Sequence, residues 1–436
     1  MRPPTALITV ATLACATGLA VAQQAAIHPL LPPPGASATY MYVWDVSADG
    51  TWAVGYYQSA VTPFRNFAVR WPLAGPDAFI AQPLTHPLWE LTSAGQVSGD
   101  GRIIVGRGRY QGSSSLEAFR WDAGSVSQVL SAGSASIWEL TSDGVRMLCD
   151  NPDSSGVVVD GVTDAVVRTI PPGFLAMGMS EDGSVVVGGL DAFPYEAARS
   201  TAPDAMDSLC GLIGCGAGNT FTRPDSSVVS ADGSTWAGVI RQPGAGYGGY
   251  AASLFLYRNG VLTTVPNQCG TYSEPHVSAA NTDGSVLIGN MDFCESSSRA
   301  FYYSAGLGMQ RLDALLSGAG VDLSAWTSLE FLRSVSADGR TVVGDGLTPG
   351  SNFYRPFAAI VPPACDSIDF NGDLLYPDTQ DIADFLSVFA GGVCDGQQPG
   401  DTPCNSDIDF NNDTLTPDTD DIAALLRVFA GGSCAQ

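Results

Sequence analysis

Seven times along this chain an apolar stretch runs into Ser-x-Asp-Gly or a close variant, and in most copies a short β-branched run ending at glycine follows. Val46-Ser47-Ala48-Asp49-Gly50 leads to Trp52-Ala53-Val54-Gly55, and Val97-Ser98-Gly99-Asp100-Gly101 leads to Ile103-Ile104-Val105-Gly106. The phrase returns around Asp143-Gly144, Asp182-Gly183, Asp232-Gly233, Asp283-Gly284 and Asp338-Gly339, a spacing of about 48 residues. Each copy predicts a hairpin, because Asp-Gly turns the chain through positive φ between two strands. A third, alternating strand follows most copies, as in Phe67–Trp71, Ala118–Trp121, Leu254–Arg258 and Ala300–Tyr303. A short fourth strand comes after it, as in 260–265.

Four short strands per repeat, seven times over, predict an all-β, seven-bladed β-propeller across residues 23–363. A β-solenoid or sandwich is the competing architecture, and the uneven insert lengths disfavour it. The last copy stops after its third strand at 357–361, while Ala26-Ile27-His28-Pro29-Leu30-Leu31 reads as a fourth strand lacking the first three. Pairing the two would close the ring and cover two strand edges. The third copy carries Met147-Leu148-Cys149 where Val-Gly is expected, so its blade is the least regular.

From 364 to 436 the pattern changes to a helical period inside a tandem duplication. Ile368-Asp369-Phe370-Asn371-Gly372-Asp373 returns as Ile408-Asp409-Phe410-Asn411-Asn412-Asp413. Pro377-Asp378-Thr379-Gln380-Asp381 returns as Pro417-Asp418-Thr419-Asp420-Asp421. Ile382, Phe385, Leu386 and Phe389 fall on one helical face, as do Ile422, Leu425, Leu426 and Phe429, and paired glycines end each helix. Asp-x-Asn-x-Asp sets three oxygen ligands on one side of a tight loop, with a closing carboxylate about a dozen residues on, the scheme of EF-hand-type calcium loops.

Charge sharpens this picture. The net charge is -25, and all 19 basic residues are Arg, which argues against nucleic acid and anionic membrane surfaces as partners. Between Cys365 and Gln436 stand fourteen Asp and a single Arg, Arg427, so roughly half the negative charge occupies the last sixth of the chain. Such density repels itself unless a cation neutralises it.

Residues 1–22 read as a secretory signal: Arg2, an apolar stretch from Thr5 to Leu19, then Ala20-Val21-Ala22 before Gln23. The expectation is a secreted, extracellular or surface-attached protein with no membrane insertion. Its cysteines then suit disulfides, by proximity and repeat symmetry Cys210 with Cys215, Cys269 with Cys294, Cys365 with Cys394 and Cys404 with Cys434. Connectivity stays open, and Cys149 is left over. Zinc is the competing use, without a CxxC pair or nearby His in support.

No constellation for catalysis is evident. His28, His86 and His276 sit in different repeats, and Gly-x-Ser-x-Gly, phosphate-loop and HExxH motifs are absent from the sequence. Ser230–Trp236 approaches the Asp-box turn of sialidase propellers, but its Asp and Gly are adjacent, which is the wrong spacing. The leading expectation is a non-catalytic binding protein. The alternative is a carbohydrate-active enzyme, a glycoside hydrolase or lyase, with carboxylates from several blades meeting at the propeller mouth. Two or more close carboxylates beside aromatics would favour the enzyme.

The Ser-x-Asp-Gly, Val185-Val186-Val187-Gly188 and Ala118-Phe119-Arg120-Trp121 phrases resemble HAF-type repeats of bacterial secreted proteins, across most of residues 40–361. That resemblance implies architecture and an extracellular setting, without an activity. Residues 365–434 resemble a dockerin of the Cys-bracketed planctomycete type, implying a small α-helical, calcium-binding domain that docks to a cohesin-like or cell-surface receptor. By this resemblance Asp369, Asn371, Asp373 and Asp381 would hold one calcium ion, and Asp409, Asn411, Asp413 and Asp421 a second. Leu374 and Thr414 replace the usual loop Gly, and the closing Asp comes one residue late, so Asp378 and Asp418 share the candidate role. A glycan is the candidate ligand of the propeller.

Overall fold

The computed structural model describes residues 25–36, 38–61, 64–129, 136–150, 156–190, 196–202, 205–213, 221–222, 227–243, 250–266, 275–291, 298–362, 370, 379–390, 408, 410 and 419–429. They form seven antiparallel sheets in a ring, a seven-bladed β-propeller, with two helices near the C-terminus, Thr379–Phe389 and Thr419–Phe429. Blades 1 to 6 begin on the inner strands Ala38–Val46, Trp89–Val97, Ile137–Leu140, Phe174–Met179, Val228–Val229 and His276–Ala280. Blade 7 begins on Ser328–Val335. Blade 5 carries one extra two-residue strand, Phe221–Thr222.

The second strand of each blade explains its apolar run. It lies mid-blade, so successive side chains meet opposite neighbouring blades and both are buried. Ile104 packs into the core shared with blade 1 and Val105 into the core shared with blade 3. Val342 faces blade 6 and Val343 faces blade 1. One apolar cluster fills each of the seven blade-to-blade seams, including the seam between blades 7 and 1. The ring is therefore closed by packing.

It is also closed by strand pairing. Ala26–Pro29 adds antiparallel to Tyr354–Ile360, with Ala26 opposite Ile360 and Pro29 opposite Phe357. This supplies the missing outer strand of blade 7, two residues shorter than the sequence suggested. Leu31 has already left it for a parallel bridge to Ile80 in blade 1.

The seven Asp-Gly turns gather at one end of the ring. Gly50, Gly101, Gly144, Gly183, Gly233, Gly284 and Gly339 all adopt positive φ, as the hairpin reading requires. In the first turn Ser47 Oγ donates to Asp49 Oδ1 at 2.6 Å and accepts the Trp52 N–H at 2.9 Å. The variable residue of each turn faces the central channel, and its backbone stitches one blade to the next. Ala337 N–H donates to Ala48 O at 2.8 Å, Gly99 N–H to Ser142 O at 2.6 Å and Glu181 N–H to Ala231 O at 2.7 Å.

Two helices were not foreseen, Leu209–Ile213 and Leu312–Gly318; the second buries Leu312 and Leu316 in the seam between blades 6 and 7. Blade 3 is regular in strand order despite its divergent phrase, and Cys149 is buried with a free thiol. Cys210 is disulfide-bonded, and the remaining cysteines lie outside the described residues, as do residues 1–24. Among the described residues no helix is long and apolar enough to cross a membrane.

Candidate ligand-binding face of the propeller

The inner strands carry a recurring bulge. In blade 1, Val43 pairs with Gly55 and Asp45 with Val54, which leaves Trp44 unpaired. The same skip leaves out Gly95, Trp138, Met177, Ser278 and Arg333 in blades 2, 3, 4, 6 and 7. A bulge re-aims the extra side chain. It also accounts for the recurring glycine of the second strand. A Cβ on Gly55 would lie 1.9 Å from the Tyr42 carbonyl oxygen, and one on Gly188 would lie 1.8 Å from that of Leu175.

The bulged Trp44 and Trp138 are 38 % and 39 % exposed, high values for the largest apolar side chain. They flank a groove of about 470 Å³ across blades 1 to 3, whose walls include Tyr56, Gln96 and Arg107. A second groove of about 480 Å³ shares Asn66, Thr92 and Leu116 with it and runs on past Arg65, Glu90 and Arg109. The inner strands run toward the Asp-Gly turns, so the groove opens at the opposite end of the ring.

Beside Trp44 the aromatic lining continues. Tyr42 stacks on Trp44 at 6.4 Å and on Tyr56 at 5.2 Å between ring centroids. The Arg333 guanidinium lies 5.4 Å over Trp44 and 5.2 Å over Phe331, within cation–π range. Its Nε donates to Asp345 Oδ2 at 3.0 Å, while Asp345 Oδ1 is buried without a hydrogen-bond partner. Burial pushes the Asp345 carboxyl up to about 6, against the pull of Arg333. Glu330 next to it accepts from Ser328 Oγ at 2.8 Å and from Tyr354 Oη at 2.9 Å. Two carboxylates thus stand beside aromatics, but both are buried and each is tied to neighbouring side chains.

A second acidic group lines the channel itself, a cavity of about 480 Å³ at the turn end. Asp45 accepts from Val97 N–H, Val46 N–H and Ser334 Oγ, joining blades 2, 1 and 7, and burial raises its carboxyl to about 6. Glu139 is raised well above the carboxylate range, by burial first and then by Asp45 and Glu181. Glu181 caps the turn of blade 3, accepting from Ser142 Oγ at 2.7 Å.

A carboxyl whose pKa is raised by folding stabilises fully below its unfolded value, about 4, and that contribution is lost as pH rises through the folded value. The melting temperature is therefore expected to fall between pH 5 and pH 8. Asp100 and Asp182, lowered mainly by the backbone N–H groups of Arg102 and Ser184, act only at more acid pH. Glu139→Gln should raise the melting temperature at pH 8 and flatten the slope. A slope unchanged in that variant would remove the channel carboxylate as its source.

Of the candidate metal ligands, Asp381 and Asp421 are described, and both are fully buried at the starts of their helices. Asp381 Oδ1 accepts the Phe370 N–H at 3.0 Å, which ties the loop to the helix. Asp369, Asn371, Asp373, Asp378, Asp409, Asn411, Asp413 and Asp418 lie outside the described residues. The two helices share a core of Phe370, Phe385, Phe410, Ala424 and Leu425. One expectation is corrected: Leu386 and Leu426 are exposed, and the inner faces include the acidic Asp381, Asp384 and Asp421. Turning those carboxylates inward rotates each helix by part of a turn, and the leucines move out. Among the described residues no group of three or more His, Cys, Asp or Glu is arranged to hold a metal.

The histidines are separate. His28 stacks on Phe79 at 4.1 Å, His86 accepts the Leu88 N–H at 3.2 Å, and His276 lies in blade 6.

No protein-family model matches this chain, and no curated protein matches it. Among solved structures it is similar to the β-propeller domain of the Trilobed protease from Pyrococcus furiosus, described as having an open velcro topology. That similarity has 12% identity and a TM-score of 0.49, over 74% of this chain and 95% of that one. It is also similar to an acylaminoacyl peptidase from Pyrococcus horikoshii, with 12% identity and a TM-score of 0.46, over 71% of this chain and 49% of that one. The architecture described above rests on the strand order and seams of this chain itself.

Proposed function

We propose that this protein is a secreted, non-catalytic binding module, attached to a scaffold or cell surface through a calcium-dependent, dockerin-like tail. One observation carries the propeller half: Trp44 and Trp138, bulged out of the strand pairing, flank an open groove with polar side chains on its walls. Exposed aromatics next to hydrogen-bonding groups suit the apolar faces and hydroxyls of a glycan. The enzyme reading draws on Glu330 and Asp345 beside the aromatics. Their burial and fixed partners leave neither placed to exchange a proton with a glycosidic oxygen. Retention on insoluble polysaccharide without released reducing ends separates the two readings.

For the tail, the support is three buried carboxylates, Asp381, Asp384 and Asp421, in a segment whose one basic residue is Arg427. Gathering several carboxylates out of water is costly, and calcium takes several carboxylate and carbonyl oxygens at once. Two ions are expected, held through Asp381 and Asp421 together with the Asp-x-Asn-x-Asp loops. Binding only to the folded loops would couple metal affinity to folding. Calorimetry of the intact mature chain should show two calcium-binding events, with one lost in Asp373→Ala and the other in Asp413→Ala. If millimolar calcium gives no heat and no change in helical signal, the tail is an acidic extension.

A further inference from the structure

We infer that the groove across blades 1 to 3 takes an anionic polysaccharide, with Arg65, Arg107 and Arg109 holding its carboxylate or sulfate groups. The inference deepens the binding reading and rests on it. The chain has 19 basic residues against 44 acidic ones, yet the two confluent grooves are lined by three Arg and one carboxylate, Glu90. At physiological salt a surface charge is felt over about 8 Å, so the ligand meets this local excess rather than the charge of the whole chain.

The three guanidinium groups are available. Arg65 and Arg109 are 59% and 45% exposed, and they share the single Glu90 at 3.4 and 4.0 Å. Surface pairs of that length are weak and readily exchanged for a ligand anion. Arg107 makes no ion pair among the described residues and donates to Ser136 Oγ at 2.6 Å. Beside the groove, the Asp150 carboxylate accepts from Trp138 and feels Arg107. A guanidinium presents a planar fork that pairs bidentately with carboxylate and binds sulfate oxygens comparably.

The lining favours a polysaccharide over an acidic peptide. Trp44 and Trp138 come from blades 1 and 3, with the polar Thr92, Ser93 and Gln96 of blade 2 between them. Flat surfaces on either side of hydrogen-bonding side chains suit sugar rings.

The test uses the intact mature chain with two matched pairs, polygalacturonate against its methyl ester and dextran sulfate against dextran. Titration calorimetry should give at least about tenfold tighter binding to one anionic member than to its neutral partner, a difference of about 1.4 kcal/mol. That affinity should fall as salt is raised toward about 1 M, where screening acts within about 3 Å. The pair that responds tells carboxylate from sulfate. Arg107→Gln with Arg109→Gln should remove the preference while the melting temperature holds. Equal affinity for charged and neutral members, or indifference to salt, overturns the anionic inference and leaves glycan binding standing. Absence of binding to all four sinks the binding reading too. Polyglutamate bound as tightly as polygalacturonate overturns the polysaccharide assignment in favour of an acidic peptide.

Discussion

Gly188→Ala is expected to destabilise the propeller by about 3 kcal/mol or more, among the largest effects of any single methyl group in this chain. The added Cβ would lie 1.8 Å from the Leu175 carbonyl oxygen and 2.9 Å from its carbon. Both are backbone atoms of the inner strand, and the strand that carries Gly188 is held in register on its other side by Glu196–Ala202, so the overlap is not relieved cheaply. Gly95→Ala is the control, because it also sits at a bulge but its nearest neighbour is 3.7 Å away. Denaturant unfolding should show a large fall in midpoint for the first and little change for the second. A Gly188→Ala protein as stable as the parent would mean that the bulge does not hold the glycine in place.

Blade 3 shows how the same slot accepts a side chain. Cys149 stands where the other blades have glycine, opposite Ile137, and Trp138 still bulges. The residue whose carbonyl would press on it is Ser136, and here the inner strand starts one residue later, at Ile137. Ser136 instead accepts the Asp150 N–H at 3.0 Å from outside the strand. Burial raises the Cys149 thiol to about 12, which keeps it protonated and unreactive.

The ring was legible in the sequence because its signals are local and repeated. Asp-Gly forces the turn, the two-sided burial of the second strand demands an uninterrupted apolar run, and the orphan strand near Ile27 answers the incomplete blade at Phe357. The groove was not legible in the same way. Trp44, Trp138 and Arg333 are far apart in sequence, and a bulge leaves no signature in hydrophobic alternation. A signal did exist. In the six blades where the skip occurs, the bulged residue stands three places before the first residue of the turn, as Trp44 does before Ser47 and Trp138 before Thr141. Alignment of the copies on their turns would have placed these side chains in one ring. The tail helices were misjudged for a different reason. Helical periodicity counts apolar residues, and at Asp381 and Asp421 the inward position belongs to a carboxylate.

Under the proposed function, the groove between the two tryptophans is where the propeller binds a glycan. Trp44 and Trp138 pack little of the core, so replacing both with alanine should leave the fold intact. It should remove two stacking surfaces, and at about 1.4 kcal/mol each that amounts to about a hundredfold loss in affinity. Equilibrium binding of the parent and of Trp44→Ala with Trp138→Ala to the same polysaccharide measures this directly, with the polymer's chain length followed in the same samples. Saturable binding by the parent, a loss of about two orders of magnitude in the variant, and no shortening of the polymer by either are expected. Equal binding by both proteins, or a polymer cut by the parent, would contradict it.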